Sequence, residues 1–141
     1  MKKKLLIIAL ACMILCFTAC SARLPYDLEG TDSIEIHAYG NESAEPVAEF
    51  VVKGEDAERI VEMFSALKLK EMKYTEPSIR GYEFWFRDKN GDQIAKLELP
   101  FGHSPWVVVG GSVYQDVNSG IDTEYLAQLV DIASTAGPMV K

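Results

Sequence analysis

The chain has 141 residues, with 14 Lys+Arg against 21 Asp+Glu and a formal net charge of −7. That balance disfavours nucleic acid, whose phosphates demand a basic patch, and the length sets one small domain as the expectation. Apolar residues make up 48% but are unevenly spread: from Leu5 to Ala19 only Thr18 falls outside the apolar set.

Met1 is followed by Lys2, Lys3 and Lys4, then by the apolar run, then by Phe17-Thr18-Ala19-Cys20-Ser21. This order is that of a basic n-region, an apolar h-region and a cleavage region. A spanning helix needs about 20 apolar residues, more than this run supplies before Ser21, Arg23 and Pro25, so a cleaved export signal over residues 1–19 is expected. Phe17-Thr18-Ala19-Cys20 resembles the lipobox of bacterial lipoproteins, with Phe17 where Leu is usual. The resemblance implies a diacylglyceryl group on Cys20. The plainer alternative is ordinary cleavage after Ala19, which leaves Cys20 a free thiol.

A chain beginning at Cys20 has 11 basic and 21 acidic residues, a net charge of −10. Cys12 and Cys16 leave with the signal, so no disulfide framework and no cysteine metal site remain, and stability must come from a hydrophobic core. Residues 20–31 read as the lipidated cysteine and a stalk, shorter in reach if Leu24, Tyr26 or Leu28 docks on the domain. Residues 32–137 read as one domain, and 138–141 as a tail.

Within the domain, Ser33-Ile34-Glu35-Ile36-His37-Ala38-Tyr39 alternates, with Ile34, Ile36 and Ala38 on one face and Glu35, His37 and Tyr39 on the other. Val47 to Val52 reads as the return arm of a hairpin. The period then changes: Ala57, Ile60, Val61, Phe64 and Leu67 recur at helical spacing over about 55–67, with Glu55, Asp56 and Glu58 in the first turn, where the helix dipole favours negative charge. Those acids also admit a reading as paired catalytic carboxylates, less favoured than a solvated helix face. Lys68 to Tyr74 is a weak strand. Tyr82-Glu83-Phe84-Trp85-Phe86-Arg87 and Gln93 to Leu99 flank the turn Asp88-Lys89-Asn90-Gly91-Asp92. Trp106 to Val109 and Ser112 to Gln115 flank Gly110-Gly111, a loop suited to positive φ. Asp122 caps a last helix to Thr135, with Leu126, Leu129, Val130 and Ala133 on one stripe and Gly137-Pro138 as stop. Strands and helices are segregated, which predicts an α+β fold: a mostly antiparallel sheet of five to seven strands with two helices packed on one face.

Motifs for chemistry are sparse. Asp88 to Asp92 starts like a calcium loop, but Gln93 and Leu99 stand where that loop needs Gly and Glu, and a hairpin turn accounts for Asn90-Gly91. His37 and His103 are the only histidines, without metal-ligand spacing. His103-Ser104 adjoin, but no nucleophile elbow surrounds them. No cofactor, metal or catalytic residue is assigned.

Trp85 is the informative residue. The alternation that buries Phe84 and Phe86 sends Trp85 to the opposite face with Glu83 and Arg87; Ile94, Lys96 or Glu98 are its candidate neighbours across the hairpin, and Glu35 and His37 lie on the polar face of their own strand. Exposed there, it marks a partner-binding face. Covered by the stalk or a loop, or packed across strands, it is structural.

The segment Phe17 to Cys20, the helix around Ile60 to Leu67, the hairpin Tyr82 to Asp92 and the Val113-Tyr114 strand before the last helix together resemble small Gram-positive lipoproteins with a YhfM-like domain. The resemblance spans residues 32 to 132. It implies a lipid-anchored extracytoplasmic α+β domain at the cell membrane and transfers no functional residue. The leading expectation is therefore a non-enzymatic module that binds a protein, peptide or envelope ligand through the face carrying Trp85, Glu83, Arg87, Lys96 and His37. An envelope hydrolase using acidic residues or His103 is the alternative. Oligomeric state is left open.

Overall fold

The computed structural model describes residues 23–40, 44–73, 80–100 and 106–135. Residues 1–22, with the signal and Cys20, lie outside them, as do His103 and Gly137-Pro138.

Seven strands and two helices follow in the order β1 (Ser33–Tyr39), β2 (Pro46–Lys53), α1 (Glu55–Ser65), β3 (Leu69–Met72), β4 (Arg80–Arg87), β5 (Gln93–Pro100), β6 (Trp106–Val109), β7 (Ser112–Asp116) and α2 (Thr123–Thr135). The strands form one sheet in the order β2-β1-β4-β5-β6-β7-β3. Every neighbouring pair is antiparallel. The fold is α+β. Strand β4 inserts beside β1, and β3 crosses to the far edge against β7.

Turn chemistry fixes the local hairpins. Between β4 and β5, the Asp88 carboxylate accepts the amides of Asn90 and Asp92, and Gly91 takes φ 85°. Between β6 and β7, Gly110 and Gly111 both have positive φ, 56° and 85°, the pair that a tight two-residue hairpin requires. Helix α1 starts at Gly54 without a side-chain cap, and Glu55, Asp56 and Glu58 supply negative charge at its positive end. Helix α2 is capped as expected, with the Tyr125 amide donating to Asp122 Oδ1 at 2.9 Å.

Register sorts the side chains. Ile34 stands opposite Phe86, Ile36 opposite Phe84 and Ala38 opposite Tyr82, while Ala95, Leu97 and Leu99 continue these rows on β5. Ile34, Phe84, Phe86, Leu97 and Val107 are fully buried. Phe64 of α1 meets the rings of Phe84 and Phe86 edge-on at centroid distances of 5.1 and 5.8 Å. Tyr125, Leu126 and Leu129 of α2 join the same cluster. The two helices are also joined directly: the Tyr125 hydroxyl donates to Asp56 at 2.7 Å, and the Arg59 guanidinium lies 3.6 Å above the Tyr125 ring and 3.2 Å from Asp122. Burial and the Asp56 carboxylate raise the Tyr125 hydroxyl to about 12.

The segment before β1 is part of the domain. Leu28 is buried in the core, Leu24 and Tyr26 pack against it, and the Tyr26 hydroxyl donates to the Phe64 carbonyl at 2.8 Å. Burial first, and then the Asp116 charge, pushes that hydroxyl upward. The stretch assigned to a stalk is thus docked from Leu24 onward. No helix among the described residues is long and apolar enough to cross a membrane.

Candidate functional site

On the sheet face opposite Phe84, two rows of side chains run across the central strands. One is Val51–Glu35–Trp85–Lys96 and the other is Glu49–His37–Glu83–Glu98. Every residue singled out on this face, Trp85, Glu83, Arg87, Lys96 and His37, is brought into one network.

Glu35 is its hub, and it was absent from the candidate set. Its Oε2 accepts from Arg87 Nη2 at 2.8 Å and Nε at 3.2 Å, while Oε1 lies 3.0 Å from His37 Nε2. The Arg87 hydrogen bond, against partial burial and aided by His37, holds this carboxyl below the ordinary glutamate value. The alternation Glu35-Ile36-His37 already placed Glu35 on this face; its pairing with Arg87 required knowing that β1 neighbours β4.

Trp85 is half-buried, not a free aromatic. The His37 ring packs on it at a centroid distance of 4.2 Å and a tilt of 52°, and Lys96 Nζ sits 4.9 Å from its ring centre. Lys96 is held in turn by Glu98 at 3.1 Å and Glu83 at 3.4 Å. Burial works against its charge, but the Glu98 and Glu83 carboxylates outweigh it and raise the ammonium above its usual value. His37 Nδ1 lies 3.9 Å from Glu49.

Glu83 departs from the expected role. It is only 6% exposed and accepts the Tyr39 hydroxyl on Oε2 at 3.0 Å. A carboxylate so enclosed does not present itself to a partner; it anchors Lys96 and Tyr39. Tyr39, expected on the polar face, lies there but is buried at 6%, with the Arg80 guanidinium 5.5 Å from its ring. Burial, and then the Glu83 hydrogen bond, raises its hydroxyl.

A second buried carboxylate, Asp116, also lay outside the candidate set. It closes the loop after β7, accepting the amides of Asn118 and Gly120 at 3.2 and 2.6 Å. The spacing Asp116-x-Asn118-x-Gly120 is its only signal in the chain. His103 lies outside the described residues, so its neighbours are not described. Among the described residues no group of three or more His, Cys, Asp or Glu is arranged to hold a metal ion.

Chemically, the face is suited to contact rather than proton transfer. Both oxygens of Glu35 and of Glu83 are engaged by neighbouring side chains of the face, Arg87 and His37 on the one and Tyr39 and Lys96 on the other. What stays accessible is the remaining surface of a fixed indole framed by fixed charges. No family model matches this chain, and no curated protein or solved structure matches it.

Proposed function

We propose that the chain is a lipid-anchored extracytoplasmic interaction module, of the kind suggested by its resemblance to lipoproteins with a YhfM-like domain. In this reading both helices cover the Phe84 face of the sheet, and the Trp85 face is left to engage a protein, peptide or envelope ligand. The observation that carries it is the immobilised, half-exposed Trp85, clamped between His37, which is hydrogen-bonded to Glu35, and Lys96, which is paired with Glu98 and Glu83. An aromatic held in one pose loses little entropy on binding, and such residues dominate interface energetics. The hydrolase alternative is less favoured, because Glu35 and Glu83 are tied up by Arg87, His37, Lys96 and Tyr39.

The anchor is a diacylglyceryl group on Cys20. Docking from Leu24 onward leaves only Ser21, Ala22 and Arg23 as spacer, so the domain sits close to the bilayer. Several acyl chains together hold a protein firmly, whereas a domain of net charge −10 is repelled by anionic lipid. The membrane is then a tether and not the ligand.

Two experiments test this. Mass spectrometry of the membrane fraction is expected to show the diacylglyceryl adduct on Cys20, and a secreted chain without lipid, whether it starts at an unmodified Cys20, at Ser21 or at Ala22, refutes it. Affinity capture from the intact envelope is expected to lose its partners with Trp85→Ala; a folded Trp85→Ala variant that recovers the same partners in equal yield overturns the assignment of the face.

A further inference from the structure

Strand β2 ends the sheet, and among the described residues only β1 pairs with it. An edge strand offers a second row of backbone donors and acceptors to any strand that fits. On the face it shares with Trp85, β2 presents Val47, Glu49, Val51 and Lys53, with Val47 and Val51 exposed at 64% and 45%. Charges on an edge ordinarily discourage pairing. Here they have opposite signs and stand symmetrically, two residues to either side of Val51.

A second copy added by a two-fold axis normal to the sheet pairs antiparallel, and the two-residue period of side chains admits only registers that keep like faces together. Centred on Glu49, the register sets that carboxylate against itself. Centred on Phe50, it sets Glu49 against Val51. Centred on Val51, it places valine opposite valine and each Glu49 opposite Lys53 of the second copy, twice. Pro46 and the bulge between Ala38 and Tyr39 fall at the other end of β2, outside the span Glu49 to Lys53.

We infer that the chain self-associates through β2, in the register centred on Val51, joining two seven-stranded sheets into one. The Trp85 faces then lie side by side, five strand steps apart, or about 24 Å at the usual spacing. The inference rests on the edge of β2 alone and stands whether or not the Trp85 face binds a ligand.

Disulfide trapping of the full chain in bacterial membranes tests it. Opposed residues in such a pair have Cβ atoms about 4.5–5.5 Å apart, within reach of a disulfide after a small shift. Under mild oxidation Val51→Cys is expected to give a dimer well above the background from Cys12, Cys16 and Cys20, while the more exposed Val47→Cys stays at background. Adding Lys53→Glu to Val51→Cys is expected to lower the yield several-fold, and adding Glu49→Lys as well is expected to restore it. No dimer from Val51→Cys, equal trapping at Val47→Cys, indifference to Lys53→Glu, or a cross-link to a different protein each overturns the inference.

Discussion

Phe84 and Trp85 are chain neighbours on one strand, yet they stabilise the molecule by different physics. Phe84 is fully buried against Phe64, Ile36 and Leu97, where removal of apolar area from water dominates. Trp85 stands half-exposed among Glu35, His37 and Lys96, where each contact replaces one that water would make and the net gain is small. One face of the sheet supplies stability; the other supplies a fixed arrangement of groups at little cost to the fold. Variants on the two faces should therefore separate cleanly.

The largest effect belongs to the apolar face. Phe84→Ala removes the ring that Phe64 and Phe86 pack against and is expected to cost about 3–5 kcal/mol in denaturant unfolding. That is a large share of the total stability of a small domain, about 5–15 kcal/mol. Glu83→Ala comes next, because Glu83 is the one candidate on the polar face that is buried. It leaves the Tyr39 hydroxyl without its acceptor and is expected to cost about 2 kcal/mol. Combining it with Tyr39→Phe should recover part of the loss in a double-mutant cycle. Equal losses from Phe84→Ala and from an exposed-face variant such as Glu98→Ala would erase the distinction between the faces.

The alternation that separates these faces was legible in the chain, as were the Asn90-Gly91 and Gly110-Gly111 turns and the Asp122 cap, because each depends on residues close in sequence. Strand order was not. Nothing local to Leu69–Met72 says that it pairs with β7 rather than with the adjacent β4, since non-local pairing is decided by what the whole sheet buries. For the same reason the Glu35–Arg87 bridge and the burial of Tyr39 by Glu83 were hidden: their partners lie 52 and 44 residues apart. The docking of Leu24, Tyr26 and Leu28 was legible only as a condition, because three apolar residues in a polar stretch fit a spacer as well as a strap.

Glu35 gives the polar face a signature at acid pH. Its carboxyl is lowered in the folded state from the ordinary 4.5, so its contribution is complete above that pH and is lost as the pH falls through the native value. The sign follows because the unfolded chain binds the proton more readily. Two-thirds of the bridge is sheltered and one-third exposed, so screening keeps the contribution below about 1 kcal/mol. Thermal melts from pH 7 to pH 3 should show the wild type losing more stability than Arg87→Met, whose Glu35 has lost its main stabilising partner. Parallel curves for the two would remove Arg87 as the cause.

Lys96 tests the smallest link, between charge and indole. Its ammonium is raised above 10.5 in the fold, so the opposite sign applies: the contribution is complete below that pH and disappears as pH rises through the native value. Lys96→Met keeps the stem that covers Trp85 and removes the charge from Glu83, Glu98 and the ring. The expected cost is about 0.5 kcal/mol, the size of an exposed cation–π contact. The variant also unpairs the buried Glu83, so a loss approaching that of Glu83→Ala would mean that the pair is set by burial and not by the surface. Emission from Trp85, isolated with Trp106→Phe, separates the two cases. A changed spectrum with a small stability loss locates the effect at the ring, and an unchanged spectrum with a large loss locates it at Glu83.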